Sequence, residues 1–239
     1  MKLLDLSRRV VTISLPLSAQ LWIQRMYLAR EVAAGNRRVE AIMKYLPSVV
    51  HSGEIVFDIG ANIGAYTFEL SQLVSLGGHV YAFEPFNQNY RILLRSVRKA
   101  RLQNVTPLKI ALSDKVGPGE MVLPGNDISA HSIARFYSGE TGRRETVTVE
   151  TLDHLCSSGA LPVPSFIKCD VEGFPLAVLR GAEALIRKYR PTWLIELWGD
   201  HEVGFACDIG YKAYYYRDGS IHETKRSVEH VGEYFLFPR

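Results

Sequence analysis

The chain has 239 residues, of which 47% are hydrophobic, 10% aromatic and 22% charged. This composition is that of a folded globular protein and excludes a disordered, collagen-like or coiled-coil chain. The formal net charge is only +3, whereas nucleic-acid-binding domains carry a larger or more clustered basic excess, so the charge indicates no nucleic-acid partner. At this length we expect one large α/β domain with a short extension.

The three cysteines are Cys156, Cys169 and Cys207, and no two of them form a CxxC pair. This spacing argues against a zinc site and against a disulfide framework. Free thiols are typical of a reducing compartment, so we expect a cytoplasmic protein.

Residues 1–50 predict a helical extension of the main domain. Arg8 and Arg9 precede a mildly apolar stretch that looks like a short or twin-arginine signal, but polar residues interrupt it. The stretch is also too short for a membrane-spanning helix. Apolar residues between positions 21 and 46 follow helical spacing. We therefore expect helices packed on a domain that comprises residues 51–239, with no stable membrane span.

From residue 54 the pattern alternates strands with helices. Short apolar runs predict strands at 55–59, 80–83, 105–112, 166–171 and 193–197. Helical spacing follows three of these runs, with Asn87 expected to cap the second helix and a single helix expected over 176–186. Because strands and helices alternate, we expect a mostly parallel sheet with both faces covered.

The last part of the chain departs from this rhythm. Residues 211–216 and 234–237 predict two late strands, which favours an antiparallel pair at one edge of the sheet. Residues 115–150 are rich in Gly and Pro and predict a loop-rich insertion, with a hairpin through 144–149. This insertion is a candidate substrate lid, and His131 within it is either a substrate contact or, more commonly for such a residue, solvated.

The strongest local pattern is DIGANIG at 58–64, between a predicted strand and a predicted helix. Gly60 permits a sharp turn, and Gly64 lets the helix begin close to the sheet. In a dinucleotide-binding loop the second glycine would stand where Asn62 is, and Asp58 would repel a diphosphate. A carboxylate at that place suits a cationic ligand such as S-adenosylmethionine.

Glu84 ends the second predicted strand, where a carboxylate can accept hydrogen bonds from both hydroxyls of a ribose. With this residue the chain resembles the FkbM-type S-adenosylmethionine-dependent methyltransferases. The stretches that carry the resemblance occur in order at 56–67, 82–85, 111–114, 167–173, 178–182 and 234–238. The resemblance implies a single Rossmann-like class I methyltransferase domain, with a seven-stranded, mostly parallel sheet and an antiparallel edge hairpin.

The resemblance also implies a cofactor site for S-adenosyl-L-methionine at the strand ends. Glu84 would bind the ribose, and Ser113 or Asp114 would meet the adenine. Asp170 would face the methyl group and the acceptor. The methionine half would be lined by Asp58, Gly60, Asn62, Gly64 and Thr67.

Methyl transfer to an alcohol needs alignment of the reactants and a general base within hydrogen-bond reach of the hydroxyl. Asp170 is the first candidate for this base, with Glu172, Glu196 and His201 behind it. Asp170 and Glu196 end neighbouring predicted strands, so they are expected to face one pocket as base and positioning groups rather than as Mg²⁺ ligands. The structural alternatives are backbone hydrogen bonds for Asp170, a helix cap for Glu172 and a solvated loop position for His201.

These residues predict an O-methyltransferase that acts on a hydroxyl of a small molecule, such as a sugar, a glycan or a natural product of the polyketide type. Two alternatives come from other classes. An NAD-dependent oxidoreductase is disfavoured by Asn62 in the glycine loop. A cofactor-binding module without catalytic activity would bind the cofactor but show no methyl transfer.

Overall fold

The computed structural model describes residues 41–124, 142–171, 173–217, 220–229 and 232–239. Most of the predicted extension, with Arg8 and Arg9, lies outside the described residues, as do His131 and Glu172. The described end of the extension is a 3-10 helix, Ala41–Ser48. Its Leu46 is fully buried, so this segment packs on the domain.

The strands are β1 (Ile55–Ile59), β2 (His79–Phe83), β3 (Val105–Leu108), β4 (Ala111–Leu112), β5 (Gly117–Pro124), β6 (Gly142–Glu150), β7 (Phe166–Cys169), β8 (Thr192–Leu197), β9 (Tyr211–Arg217), β10 (Ser220–Thr224) and β11 (Gly232–Pro238). The helices are α1 (Ala65–Val74), α2 (Asn87–Lys99), α3 (Leu152–Ser157), α4 (Pro175–Arg180), α5 (Glu183–Tyr189) and α6 (Asp200–Asp208). Among these described residues, no helix has the length and apolar character needed to span a bilayer.

The main sheet has eight strands in the order β10-β9-β11-β8-β7-β1-β2-β3. The five strands from β8 to β3 run parallel, and β11, β9 and β10 extend the sheet by antiparallel pairing. This confirms the predicted α/β class with a mostly parallel sheet. The strand order reverses between β1 and β7, and ligands of such sheets bind at the carboxyl ends of the strands that flank this point.

Both faces of the main sheet are buried, as the alternation of strands and helices predicts. On one face, residues such as Phe57, Ile167 and Ile195 pack against α3, α4, α5 and α6. On the other face, Val56 and Leu194 belong to a cluster with α1, α2 and the 3-10 helix. Successive residues of each strand therefore point into two different layers. This alternation decides which face of the sheet each polar side chain reaches.

The antiparallel edge differs from the prediction of two late strands and of seven strands in all. β9 pairs with β10, and β11 lies between β9 and β8. β10 (Ser220–Thr224) was not expected, because its residues are polar and mostly exposed. An edge strand with one solvated face needs no apolar run, so hydrophobic patterning does not reveal it.

The predicted strand at 105–112 is two strands in two different sheets. β3 ends one edge of the main sheet, whereas β4 belongs to a second sheet of order β4-β6-β5. The predicted loop-rich insertion is, where described, a long antiparallel pair that begins with Gly117 opposite Val149. The glycine and proline residues of β5 are typical of loops, so the sequence did not predict this strand. Proline is tolerated in β5 because β5 is an edge strand.

The single helix expected over 176–186 is interrupted between α4 and α5. A Cβ added to Gly181 would lie 1.9 Å from the carbonyl oxygen of Ser113, so only glycine allows this approach. The Gly181 carbonyl accepts a hydrogen bond from the N–H of Asp153 instead of continuing the helix. Helix α6 was not expected, and His201, placed in a polar loop by the sequence, lies in its first turn.

The expected cap of the second helix is also wrong. Asn87 is the first residue of α2 rather than its cap, and no side chain caps that end by a hydrogen bond. The N–H of Asn87 donates instead to the carboxylate of Glu145 on β6 at 3.1 Å. The second sheet therefore ties down the beginning of α2, a contact that the local sequence cannot indicate.

Candidate active site

The glycine loop follows β1 and touches the loop that follows β7. Gly60 has φ +74°, and an added Cβ would lie 1.8 Å from the carbonyl oxygen of Asp170. The N–H of Asp170 donates to the carbonyl of Ile59 at 3.0 Å. These contacts bring the predicted cofactor loop and the predicted base together, and they require glycine at position 60.

Glu84 is buried immediately after β2. One carboxylate oxygen accepts a hydrogen bond from the N–H of Asn62 at 2.8 Å, and the other accepts from the N–H of Phe86 at 2.9 Å. Burial raises the pKa of Glu84 to about 7, although both hydrogen bonds act in the opposite direction. Since each carboxylate oxygen has two lone pairs, two acceptor positions remain for the hydroxyls of a ligand.

A pocket that is open to solvent lies at the carboxyl ends of β1, β2 and β7. Of the predicted site residues, Gly60, Glu84 and Asp170 line it. The other lining residues are mostly apolar: Ile59, Phe83, Pro85, Ile110, Ala111, Leu112, Met121, Val171 and Phe174. The apolar walls suit an adenine ring and the carboxylate suits a ribose diol, so the residues present fit S-adenosylmethionine.

The described lining of this pocket does not include Asp58 and Thr67. Asp58 is fully buried in β1, where one carboxylate oxygen accepts a hydrogen bond of 2.5 Å from the Thr67 hydroxyl. The other oxygen, Oδ1, has no hydrogen-bond partner among the described residues and lies 3.9 Å from Nζ of Lys168. Burial raises the pKa of Asp58, and Lys168 and Thr67 oppose this shift.

Lys168 is a buried cation in the middle of β7 that the sequence analysis did not single out. Its Nζ lies 3.1 Å from Oδ2 of Asp170 and 4.7 Å from the ring centroid of Tyr66. Burial acts to lower its pKa, but the carboxylates of Asp170, Asp58 and Glu233 outweigh burial and raise that pKa above its usual value. Lys168 is therefore an ammonium ion. The available signal was a charged residue inside an otherwise apolar strand.

Three acidic residues stand at the carboxyl edge of the main sheet: Asp170, Glu196 and Glu233. The pairing of Cys169 with Ile195 places Asp170 and Glu196 at neighbouring strand ends, as expected. Glu233, which faces Glu196 across the antiparallel pair, accepts a hydrogen bond of 2.5 Å from the Tyr66 hydroxyl. In the described ranges, no group of three or more His, Cys, Asp or Glu side chains is arranged to hold a metal ion.

The remaining predicted residues lie apart from the described pocket lining. Ser113 is buried, and its hydroxyl donates to the carboxylate of exposed Asp114 at 3.2 Å. Their neighbours Ala111 and Leu112 line the pocket instead. His201 is exposed on α6. Contacts of these side chains with cofactor or acceptor therefore stay predictions.

The fold and the pocket define a Rossmann-like α/β protein with a pocket at the switch point of its sheet. The chain matches the model of the methyltransferase FkbM domain over residues 58–218, more than half of its length. It therefore belongs to the FkbM methyltransferase family, whose methyl donor is S-adenosylmethionine. This confirms the family that the sequence motifs indicate.

Proteins similar to this chain include a curated relative and a solved structure. The hexuronic acid methyltransferase AglP of Haloferax volcanii is 27% identical over 147 residues, which cover 61% of this chain and 56% of that protein. The chain thus matches little more than half the length of this curated relative. The methyltransferase FkbM of Methylobacillus flagellatus aligns with a TM-score of 0.51 at 15% identity, covering 90% of this chain and 59% of that one. This second likeness concerns the fold.

Proposed function

We propose that the protein transfers the methyl group of S-adenosylmethionine to a hydroxyl of a small molecule, with Asp170 as general base. The observation that carries this proposal is that Glu84 and Asp170 line one pocket. A carboxylate that can accept hydrogen bonds from the ribose and a base for the methyl acceptor are thus held within a single site. Family membership favours this reaction over the oxidoreductase alternative.

Glu84 holds the cofactor through its two unused acceptor positions, and the apolar walls hold the adenine. Asn62 acts through its backbone, by fixing Glu84. When bound, the cofactor supplies a methyl group on a sulfonium, a leaving group that needs no protonation. The protein's own task is to align the acceptor with that methyl group and to remove the acceptor's proton.

Asp170 is suited to that second task. Its side chain is 33% exposed on the pocket wall, so it reaches both solvent and a bound acceptor. Lys168 holds one of its oxygens, which leaves the other to accept the hydroxyl proton. Glu196, at the neighbouring strand end, takes the role of a positioning group for the acceptor.

A sugar is the acceptor that we propose. The curated relative is named as a hexuronic acid methyltransferase, and exposed Trp198 follows β8, the strand that pairs with β7. Its indole N–H donates to Glu196 at 3.0 Å, which orients the ring. An oriented aromatic face beside a carboxylate suits a sugar ring, which presents an apolar C–H face and hydroxyls at its rim.

Calorimetric titration with S-adenosylhomocysteine tests the cofactor part of the proposal. We expect micromolar binding, weakened by ~1–3 kcal/mol in Glu84→Ala because charged hydrogen bonds to the ribose are lost. Glu183→Ala, which removes an exposed carboxylate on α5, is the matched control and should bind like the original protein. Binding of NAD without binding of S-adenosylhomocysteine would revive the oxidoreductase alternative.

A panel of acceptors with radiolabelled methyl donor tests the reaction itself. The panel contains methyl glycosides of a hexose, a hexuronic acid and an amino sugar, together with a phenolic polyketide. We expect label on the hydroxyl of a sugar, established by mass spectrometry of the product. Cofactor binding without transfer to any panel member would favour the non-catalytic module.

A further inference from the structure

Lys168 stands between two carboxylates that belong to different parts of the proposed site. Asp58 on β1 is paired with Lys168 in the register of the two strands. Asp170 lies two residues after Lys168, directly after the end of β7. Its Nζ lies 3.1 Å from Oδ2 of Asp170 and 3.9 Å from Oδ1 of Asp58. The ammonium of Lys168 therefore lies between the proposed base, Asp170, and Asp58 on β1, the strand that precedes the cofactor loop.

The surroundings of Lys168 keep it in this position. Its side chain is only 3% exposed, and its Nζ lies over the ring of Tyr66 at 4.7 Å. The Tyr66 hydroxyl is in turn bound to Glu233. An ammonium has three N–H donors and no acceptor, so Lys168 offers hydrogen bonds and charge, and it does not take up a proton.

The two carboxylates are not equally satisfied. Asp58 uses Oδ2 for the Thr67 hydroxyl, while its Oδ1 is buried without a hydrogen-bond partner in the described part of the chain. Such an oxygen raises the free energy of the native state. A movement of Lys168 Nζ by about 1 Å would bring it within hydrogen-bond distance of Oδ1. The ammonium of Lys168 thus has two possible acceptors: it is hydrogen-bonded to Asp170 and is not hydrogen-bonded to Oδ1 of Asp58.

We propose that Lys168 is a positioning residue whose ammonium holds Asp170 while this carboxylate is charged and turns to Asp58 when Asp170 becomes protonated. This inference rests on the proposed function. In the reaction the acceptor's proton passes to Asp170, the oxygen's electron pair forms the new bond to the methyl carbon, and the carbon–sulfur pair stays on sulfur. Lys168 then loses the charge of its nearer partner, and the buried Oδ1 of Asp58 remains as an acceptor for its ammonium.

Asp170→Asn tests the shift without cofactor or acceptor, because an amide has the shape of the protonated carboxyl and no charge. In a crystal structure of this variant we expect Nζ of Lys168 within about 3.2 Å of Oδ1 of Asp58. A Lys168 Nζ that stays near its present distance from Asp58 would overturn the proposal. This readout does not depend on methyl transfer, so it is separable from failure of the proposed function.

Stability measurements on the cofactor-free protein give a second readout. A double-mutant cycle between Lys168→Met and Asp58→Asn is measured in the original protein and again with Asp170→Asn. We expect the coupling, as a ratio of unfolding equilibrium constants, to be at least fivefold larger in the Asp170→Asn background. An equal or smaller coupling there would contradict a cation shared between the two carboxylates.

Kinetics separate positioning from a general structural role. Lys168→Met should lower kcat at least 30-fold and leave the affinity for S-adenosylhomocysteine within threefold. Lys188→Met, which removes an exposed lysine on α5, is the control and should leave both unchanged. A folded Lys168→Met variant with unchanged kcat would show that Asp170 needs no fixed cation.

Discussion

The carboxylate of Glu84 accepts a hydrogen bond of 2.8 Å from the backbone N–H of Asn62, 22 residues earlier in the chain. The glycine loop after β1 and the acidic residue after β2 are therefore one unit. A ligand that binds Glu84 acts on the loop through this bond. Glu84 is also buried, so its charge state matters both for ligand binding and for stability.

The affinity for S-adenosylhomocysteine should fall as the pH is lowered through 7. Burial raises the pKa of Glu84 to about 7, and only the carboxylate accepts hydrogen bonds on both oxygens. Calorimetry at pH 8 and pH 6 should show dissociation constants that differ by up to about tenfold. Glu84→Gln should bind weakly with little dependence on pH, and equal affinities of the original protein at both pH values would contradict this role.

The carboxyl group of Glu84 also makes the cofactor-free protein less stable as the pH rises. A raised pKa means that the native state binds more protons than the unfolded state between the ordinary value of 4.5 and about 7. The free energy of unfolding should therefore decrease across this range, by as much as about 3 kcal/mol from Glu84 alone. Urea unfolding at pH 5 and pH 8 measures the decrease, which should be smaller in Glu84→Gln. A larger decrease in that variant would refute the assignment.

Gly60→Ala should abolish cofactor binding and destabilise the protein by about 2–4 kcal/mol. An alanine there combines φ +74° with a Cβ 1.8 Å from the Asp170 carbonyl oxygen, so the loops after β1 and β7 must separate. Gly204→Ala is the matched control, because a Cβ at that position of α6 meets no atom within 4 Å and alanine favours a helix. Thermal unfolding measures the stability of both variants, and calorimetry measures their affinity for S-adenosylhomocysteine.

Asp170→Asn should lower kcat about 10²–10⁴-fold, the range expected for loss of a general base. The affinity for S-adenosylhomocysteine should change little, because the ribose and adenine contacts remain. Asp208→Asn, at an exposed ion pair with Arg226, is the control for loss of a surface charge. Full activity of Asp170→Asn would mean that another group takes the proton.

Trp198→Ala should raise the KM for a sugar acceptor about tenfold and leave cofactor affinity unchanged. The variant removes the indole ring of a residue that is 37% exposed, together with the N–H that donates to Glu196. Trp198→Phe keeps the apolar face and should recover most of the affinity for the acceptor. Steady-state kinetics on the accepted glycoside measures both effects, and an unchanged KM in Trp198→Ala would place the sugar elsewhere.

The sequence could predict the part of the site that a strand, a turn and a helix build locally. Asp58, Gly60 and Glu84 stand at or next to the carboxyl ends of strands that patterning found, and parallel strands bring those ends to one edge of the sheet. Asp170 follows from the same rule. The contact of Asp58 with the cofactor stays a prediction, and the described pocket lining does not include this residue.

Other features depend on residues far apart in the chain. Tyr66 and Glu233 are 167 residues apart, and their hydrogen bond depends on β11 lying next to β8 rather than at the edge. The contribution of Met121 to the pocket depends on a second sheet that glycine and proline residues concealed. No local pattern records such pairings.

The sequence by itself determined the α/β class, the family and the strand ends that carry Glu84 and Asp170, because local periodicity and short motifs are properties of neighbouring residues. Tertiary structure alone decided the eight-stranded order, the second sheet and the place of Lys168 between two carboxylates. Strand register sets the last of these, since Asp58 and Lys168 meet only when β1 and β7 pair as they do. That register is selected by burial of the whole sheet, and the sequence around either residue does not contain it.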